Sequence, residues 1–166
     1  MLKTLRAATF EVLETMFFLL PESPEETEPY FTGTGLRAWV PVAGPKPFSV
    51  GLTVPQGLAR YMGANFLGAS PDQISLEMLN DVVRELANMI AGTLLRRSRA
   101  SQAFQLLPPT VEHVELPGQG VQESPGRLFL EVSDFGIEVF VEMTPRVHSA
   151  PPGRRRPVAA PNGSLP

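Results

Sequence analysis

Asp81, Glu85 and Asn88 stand four and three residues apart in a run otherwise suited to a helix. Residues at those separations are neighbours on one helix surface, so two carboxylates and a carboxamide share a patch. A pair of carboxylates can do acid–base work, but no cleft, metal site or histidine partner can be argued around Asp81 and Glu85. The carboxamide of Asn88 differs in kind: it both donates and accepts hydrogen bonds and carries no charge. Asn is also a poor mid-helix residue, because its amide competes for backbone hydrogen bonds. Gly92, one turn further on, costs about 1 kcal/mol relative to Ala inside a helix. It leaves a low, flat spot suited to close approach by another protein. A plain solvated face accounts for the same residues, since a helix with one buried side needs a wet one.

Other chemistry finds little support. The chain has no cysteine, which excludes disulfides, thiolate catalysis and cysteine metal sites. His113 and His148 are far apart, so no metal ligands are assigned. Gly33-Thr34-Gly35 and Gly118-Gln119-Gly120 are too short for phosphate loops and are expected to be turns. No Ser/His/Asp order is present. A formal net charge of -3 gives no electrostatic case for nucleic acid or an anionic membrane. No segment reaches the roughly 18–20 apolar residues of a membrane span. Met62, Met78, Met89 and Trp39 are assigned to the core.

The elements that must hold the patch are legible from periodicity. Residues 2–20 carry Leu2, Leu5, Leu13, Phe17 and Leu20 at near-helical spacing, with Pro21 and Pro24 as stops. Glu11 and Glu14 interrupt the apolar run, so an amphipathic helix is expected there rather than a signal peptide, with the cytoplasm as compartment. Residues 30–42 and 47–54 predict strands joined by a turn at 43–46, and Pro41 predicts an edge position or a bulge. A short helix follows Pro55 and ends at glycine. Ser70-Pro71 predicts the start of a long helix reaching Arg97, with Leu76, Leu79, Val83, Leu86, Ile90 and Leu94 as its buried stripe. A short strand pair is expected around Pro108-Pro109. Two strands, 127–133 and 136–143, follow, joined by a turn at Asp134-Phe135-Gly136. Residues 1–143 are thus expected to form one domain. Residues 144–166, rich in Pro, Gly and Arg and poor in apolar residues, are expected to form a disordered tail.

The run Asp81-Val-Val-Arg-Glu85-Leu-Ala-Asn88-Met-Ile-Ala-Gly92 resembles the signature of the CheX/CheC/FliY phosphatases. That signature has an Asp or Ser, a Glu four residues on, an Asn three further, and a proline some twenty residues later. Pro108 or Pro109 supplies the proline, slightly earlier than the family spacing. The order of elements over roughly residues 5–143 agrees as well. The resemblance implies an α/β (α+β) fold, a CheC-like pseudo-symmetric domain with helices packed on a largely antiparallel sheet. It implies hydrolysis of the aspartyl phosphate of a CheY-like response regulator in chemotaxis or two-component signalling. Asn88 would orient the attacking water, Glu85 would dock on a partner lysine, and Asp81 and Gly92 would support the contact. It implies no cofactor of the chain's own, with Mg²⁺ supplied in the regulator's site. A glutamine orients the attacking water in small GTPases for the same chemical reason. In CheC-type members two helices carry the motif. In the first helix here Glu14 stands where the Asn belongs, and Glu11 and Glu14 are expected on a plain solvated face, so one site is expected, as in CheX-like members. Resemblance to CheX suggests a homodimer through sheet edges. A noncatalytic receiver-binding or flagellar-switch module of the same fold is the alternative.

Overall fold

The long helix around the polar patch forms, but it starts later than Ser70-Pro71 predicts. In the computed structural model, which describes residues 1–23, 29–98, 104–118 and 124–143, Pro71–Gln73 make a single 3-10 turn. The Gln73 side chain accepts from the Ser70 N–H at 3.2 Å and closes it. The α-helix proper, α3, spans Leu76–Arg97 and is capped by Ser75, whose hydroxyl accepts from the Met78 N–H at 3.2 Å. Glu77 in the first turn and Arg96 and Arg97 in the last complement the helix dipole.

Two shorter helices flank it. Helix α1 spans Leu2–Met16 and α2 spans Gln56–Leu67. The first ends four residues short of the expected Leu20. Phe17 turns into the core, while Phe18 takes a positive φ of 56° and Leu20 is exposed. Neither Pro21 nor Pro24 is the stop. The Asn65 amide donates to the Phe17 carbonyl at 3.1 Å and holds the α1 end against α2. Helix α2 ends as expected, at Gly68 in the left-handed conformation, where glycine has no Cβ penalty.

The strands β1 (Thr32–Ala43), β2 (Phe48–Pro55), β3 (Gln105–Leu106), β4 (Thr110–Pro117), β5 (Arg127–Val132) and β6 (Phe135–Met143) form one sheet. Its order is β3-β1-β2-β6-β5, with β4 also against β1, and every strand pairing is antiparallel. The expected fold class is therefore the observed one, helices packed on an antiparallel sheet. The β5–β6 hairpin turns one residue earlier than expected. Val132 faces Phe135, and Ser133 and Asp134 at the tip both have positive φ, as a type I′ turn requires.

Pro41 meets the second of its two expected settings, a bulge. It lies in an interior strand, not at an edge, because β1 is paired on both sides. The strand beside it is broken there instead: β3 and β4 do not pair with each other but continue one another along β1. From Leu106 opposite Val42 to Thr110 opposite Trp39, that strand advances four residues while β1 advances three. This one-residue bulge contains Pro108 and Pro109. The Leu107 N–H donates to the Pro41 carbonyl at 2.9 Å, so the side of Pro41 that lacks an N–H faces the bulge, where no ladder bond is forfeited.

All three helices lie against one face of the sheet. The side chains pointing at them from β1, β2, β5 and β6, among them Leu36, Val40, Leu52, Leu130 and Val139, are buried with Leu5, Leu13, Met62, Leu86 and Ile90 in one core. The other face carries a smaller apolar cluster of Phe31, Leu116 and Phe129 and a set of ion pairs. Arg37 pairs with Glu142 at 3.2 Å, Arg127 pairs with Glu138 and Glu142, and both guanidinium groups sit over the Phe140 ring.

Glu11, expected on a plain solvated face, instead ties α1 to the C-terminal end of α3. Its carboxylate accepts from Arg97 at 2.8 Å and also from Arg96. Hydrogen bonds from Arg97 and Arg96 hold its pKa below the ordinary carboxylate value. A lowered pKa means stability that is complete above the ordinary carboxylate range and lost as pH falls through the folded-state value. Glu11→Gln should therefore lower the urea midpoint at neutral pH, with the difference from wild type shrinking as pH drops below about 4. High salt should shrink it too, because the cluster lies at the surface. A midpoint difference independent of pH would contradict this account.

Candidate functional site

Helix α3 is anchored by a wider apolar face than one stripe. Leu79, Val82, Val83, Leu86, Ala87, Ile90, Ala91, Leu94 and Leu95 are all buried, because α1, α2 and the sheet each cover part of it. Leu76, expected in the stripe, is exposed. It is the first helical residue, and side chains lean toward the helix N-terminus, so it projects past the packed body. What remains accessible is the predicted patch. Asp81 is exposed, while Arg84, Glu85, Asn88 and Gly92 are half-buried.

Within the patch the charges are unevenly matched. Asp81 accepts from Arg84 at 2.6 Å, a surface pair three residues apart that fixes side-chain direction more than it stabilises. Among the described residues, neither the Glu85 carboxylate nor the Asn88 carboxamide has a hydrogen-bond or ion-pair partner. They stand about 4.5 Å apart along the axis, one turn of the same helix. Both are held at the backbone by a rigid helix with their functional atoms uncommitted, an arrangement suited to acting on something outside the chain.

Beside them runs a groove of about 470 Å³ lined by Phe66 and Leu67 from α2, Met78, Asp81, Val82, Arg84 and Glu85 from α3, and Pro109. The β3–β4 bulge thus brings Pro109 to the Asp81–Glu85 stretch, though the two are distant in sequence. Asn88 and Gly92 lie beyond the groove on the same helix. Phe66 and Leu67 were not legible as site residues in the sequence. The available signal was an apolar pair immediately before the C-cap glycine, where the helix runs out of core to cover it. Met78, assigned to the core, is only partly buried and forms part of this wall.

Gly92 is not required by the chain's own packing. A Cβ there would meet only the Leu106 Cδ1, at 3.8 Å, an ordinary contact. Gly92→Ala should therefore fold and raise the unfolding free energy by up to about 1 kcal/mol, read as a higher melting temperature. A lowered melting temperature would show a steric role for this glycine within the fold.

Elsewhere, no group of three or more metal-ligating side chains gathers among the described residues. Among the described residues, no helix is long and apolar enough to cross a membrane. Gly33 and Gly118, in the segments expected to be turns, have positive φ, although Gly33 lies within β1. His148, the 154–156 arginines and the expected tail, residues 144–166, lie outside the described residues.

A family model described as the chemotaxis phosphatase CheX matches residues 37–116, which run from the middle of β1 through most of β4 and include the whole patch. Among solved structures, a chemotaxis protein CheX from Desulfovibrio desulfuricans has 22% sequence identity and a TM-score of 0.64, with 86% of this chain and 97% of that chain covered. A CheC-like superfamily protein from Shewanella sp. PV-4 has 20% identity and a TM-score of 0.61, covering 87% and 97%. A complex of CheX with CheY, BeF3 and Mg²⁺ from Borrelia burgdorferi matches with 18% identity and a TM-score of 0.56, covering 86% and 96%. No protein of curated function matches.

Proposed function

Because this chain belongs to the family of CheX/CheC-like chemotaxis proteins, we propose that it is a phosphatase acting on the aspartyl phosphate of a CheY-like receiver domain. The observation that carries this is the uncommitted Glu85–Asn88 pair, one turn apart on the accessible side of α3, in register with the family signature. The related structure of CheX with CheY, BeF3 and Mg²⁺ supports the choice of partner and the source of the metal.

The residue types suit the chemistry. Hydrolysis of an acyl phosphate depends on positioning water in line with the phosphorus and on stabilising charge, with no covalent nucleophile required from the phosphatase. Mg²⁺ in the receiver's own site would neutralise charge on the phosphoryl group. The Asn88 carboxamide accepts a hydrogen bond from the water and orients it without adding negative charge. Glu85 pairs with a receiver lysine and sets the docking register. Asp81 acts indirectly, by holding Arg84, and Gly92 allows the receiver surface to come close. The structure favours one site per chain: on α1, Glu11 is consumed by Arg96 and Arg97, and Glu14 stands where an Asn would be needed. We place this activity in a domain of residues 1–143, in the cytoplasm.

Glu85→Ala tests the docking assignment. It should raise KM for the phosphorylated receiver about tenfold, the effect of losing a charged pair at the rim of an interface, with kcat little changed at saturation. An unaltered KM would remove Glu85 from the interface. Binding without any acceleration of dephosphorylation in the wild type would favour the noncatalytic module.

A further inference from the structure

The groove beside the patch is built mostly of apolar walls with one unbalanced charge on its rim, and we infer that it receives a bulky apolar side chain of the receiver domain, set next to the cation that meets Glu85. This inference rests on the proposed function and names a second recognition element of the same site.

The walls are Phe66, Leu67, Met78, Val82 and Pro109. Leu67 is 45% exposed, an appreciable apolar surface left facing water. The groove is also preformed. Phe66 stacks on the buried Phe17 with ring centroids 5.0 Å apart, Pro109 is held in the bulge against β1, and Val82 is fixed in the helix. Met78 supplies the adaptable surface. Such a wall suits a side chain entering from outside more than loose solvent.

The charges on the rim specify the neighbour. Arg84 is neutralised by Asp81 at 2.6 Å, while Glu85 has no partner among the described residues. The groove therefore presents an apolar trough with a single net negative charge at one end, complementary to an apolar residue flanked by a lysine or arginine. It is also continuous with the proposed catalytic face, since Val82, Glu85 and Asn88 follow one another along α3. The helical rise places Val82 about 9 Å from Asn88 along the axis. The occupant should thus sit on the receiver surface about that far from the phosphorylated aspartate, with the cation between them.

The test compares KM and kcat of the full chain toward phosphorylated CheY-like receiver domains with Mg²⁺ for wild type, Leu67→Ser, Leu67→Met and Asn88→Ala, each with a melting curve. Leu67→Ser should raise KM about tenfold, the range of one buried anchor contact, and leave kcat at saturation within about twofold. Leu67→Met should restore KM, because it refills the trough without a polar atom. If KM is unchanged in Leu67→Ser while Asn88→Ala abolishes turnover, the groove assignment is wrong and the proposed function stands. A fall in kcat with KM unchanged would overturn the groove assignment as well. If the wild type accelerates no receiver at all, the proposed function fails and the groove assignment fails with it.

Discussion

Asn88→Ala should fold at least as well as the parent chain and accelerate receiver dephosphorylation about a hundred- to a thousandfold less. The two halves of that expectation have separate causes. Asn is among the poorer helix formers, and among the described residues the Asn88 side chain makes no hydrogen bond, so Ala removes none and gains a few tenths of a kcal/mol in helix propensity. The lost rate is what removal of one preorganised hydrogen-bonding group at a reacting centre typically costs. Asn88→Asp should be as inactive, since it keeps the shape but brings a negative charge to an anionic centre. Asn88→Gln should recover little, because a side chain one methylene longer misplaces the water by about 1 Å. Receiver affinity should stay near the wild-type value in Asn88→Ala, which separates orientation of water from docking. A full rate in Asn88→Ala would end the assignment.

The largest loss of stability should come from the opposite face of the sheet. Gly51 faces Phe140 across the β2–β6 pairing, and the ring lies over the glycine. A Cβ at Gly51 would stand 2.6 Å from the Ala38 carbonyl oxygen and 2.7 Å from a ring carbon of Phe140. The carbonyl belongs to a central strand and cannot move aside. If the ring is displaced, Arg37 and Arg127 lose the surface they cover. Gly51→Ala should therefore cost about 3 kcal/mol, the upper end for overpacking a tight core. That corresponds to a fall in melting temperature on the order of 10 °C. Gly92→Ala, the same chemical change on the accessible face of α3, should move the melting temperature the other way. A neutral Gly51→Ala would mean that the outer sheet face is more loosely packed than its geometry implies.

Much of this arrangement is legible in the sequence, and the failures share a cause. Helical spacing alone places Asp81, Glu85 and Asn88 together, because neighbours on a helix are set by local geometry. The strand regions and the Gly68 stop are local too. Pro41 narrows only to an edge or a bulge, because the bulge that tolerates it lies at Pro108-Pro109, in a strand about 65 residues away. Glu11 is misread as plainly solvated because Arg96 and Arg97 reach it only once α1 packs on α3. The groove cannot be seen at all before folding, since its walls come from α2, α3 and the bulge. The start of α3 is a closer contest: Ser70 and Ser75 are both good caps, and Pro71 favours the earlier one, but the Ser70 cap closes only a 3-10 turn. Glu85 and Asn88 acquire chemical meaning through the family signature rather than through periodicity, which describes a wet helix face equally well.

The most direct measurement is the rate of phosphate loss from phosphorylated CheY-like receiver domains with Mg²⁺, with and without the chain, using Asn88→Ala as the control. The account predicts that the wild-type chain accelerates loss from at least one receiver and that Asn88→Ala binds the same receiver without accelerating it. A receiver that binds the wild-type chain and loses phosphate no faster would contradict it.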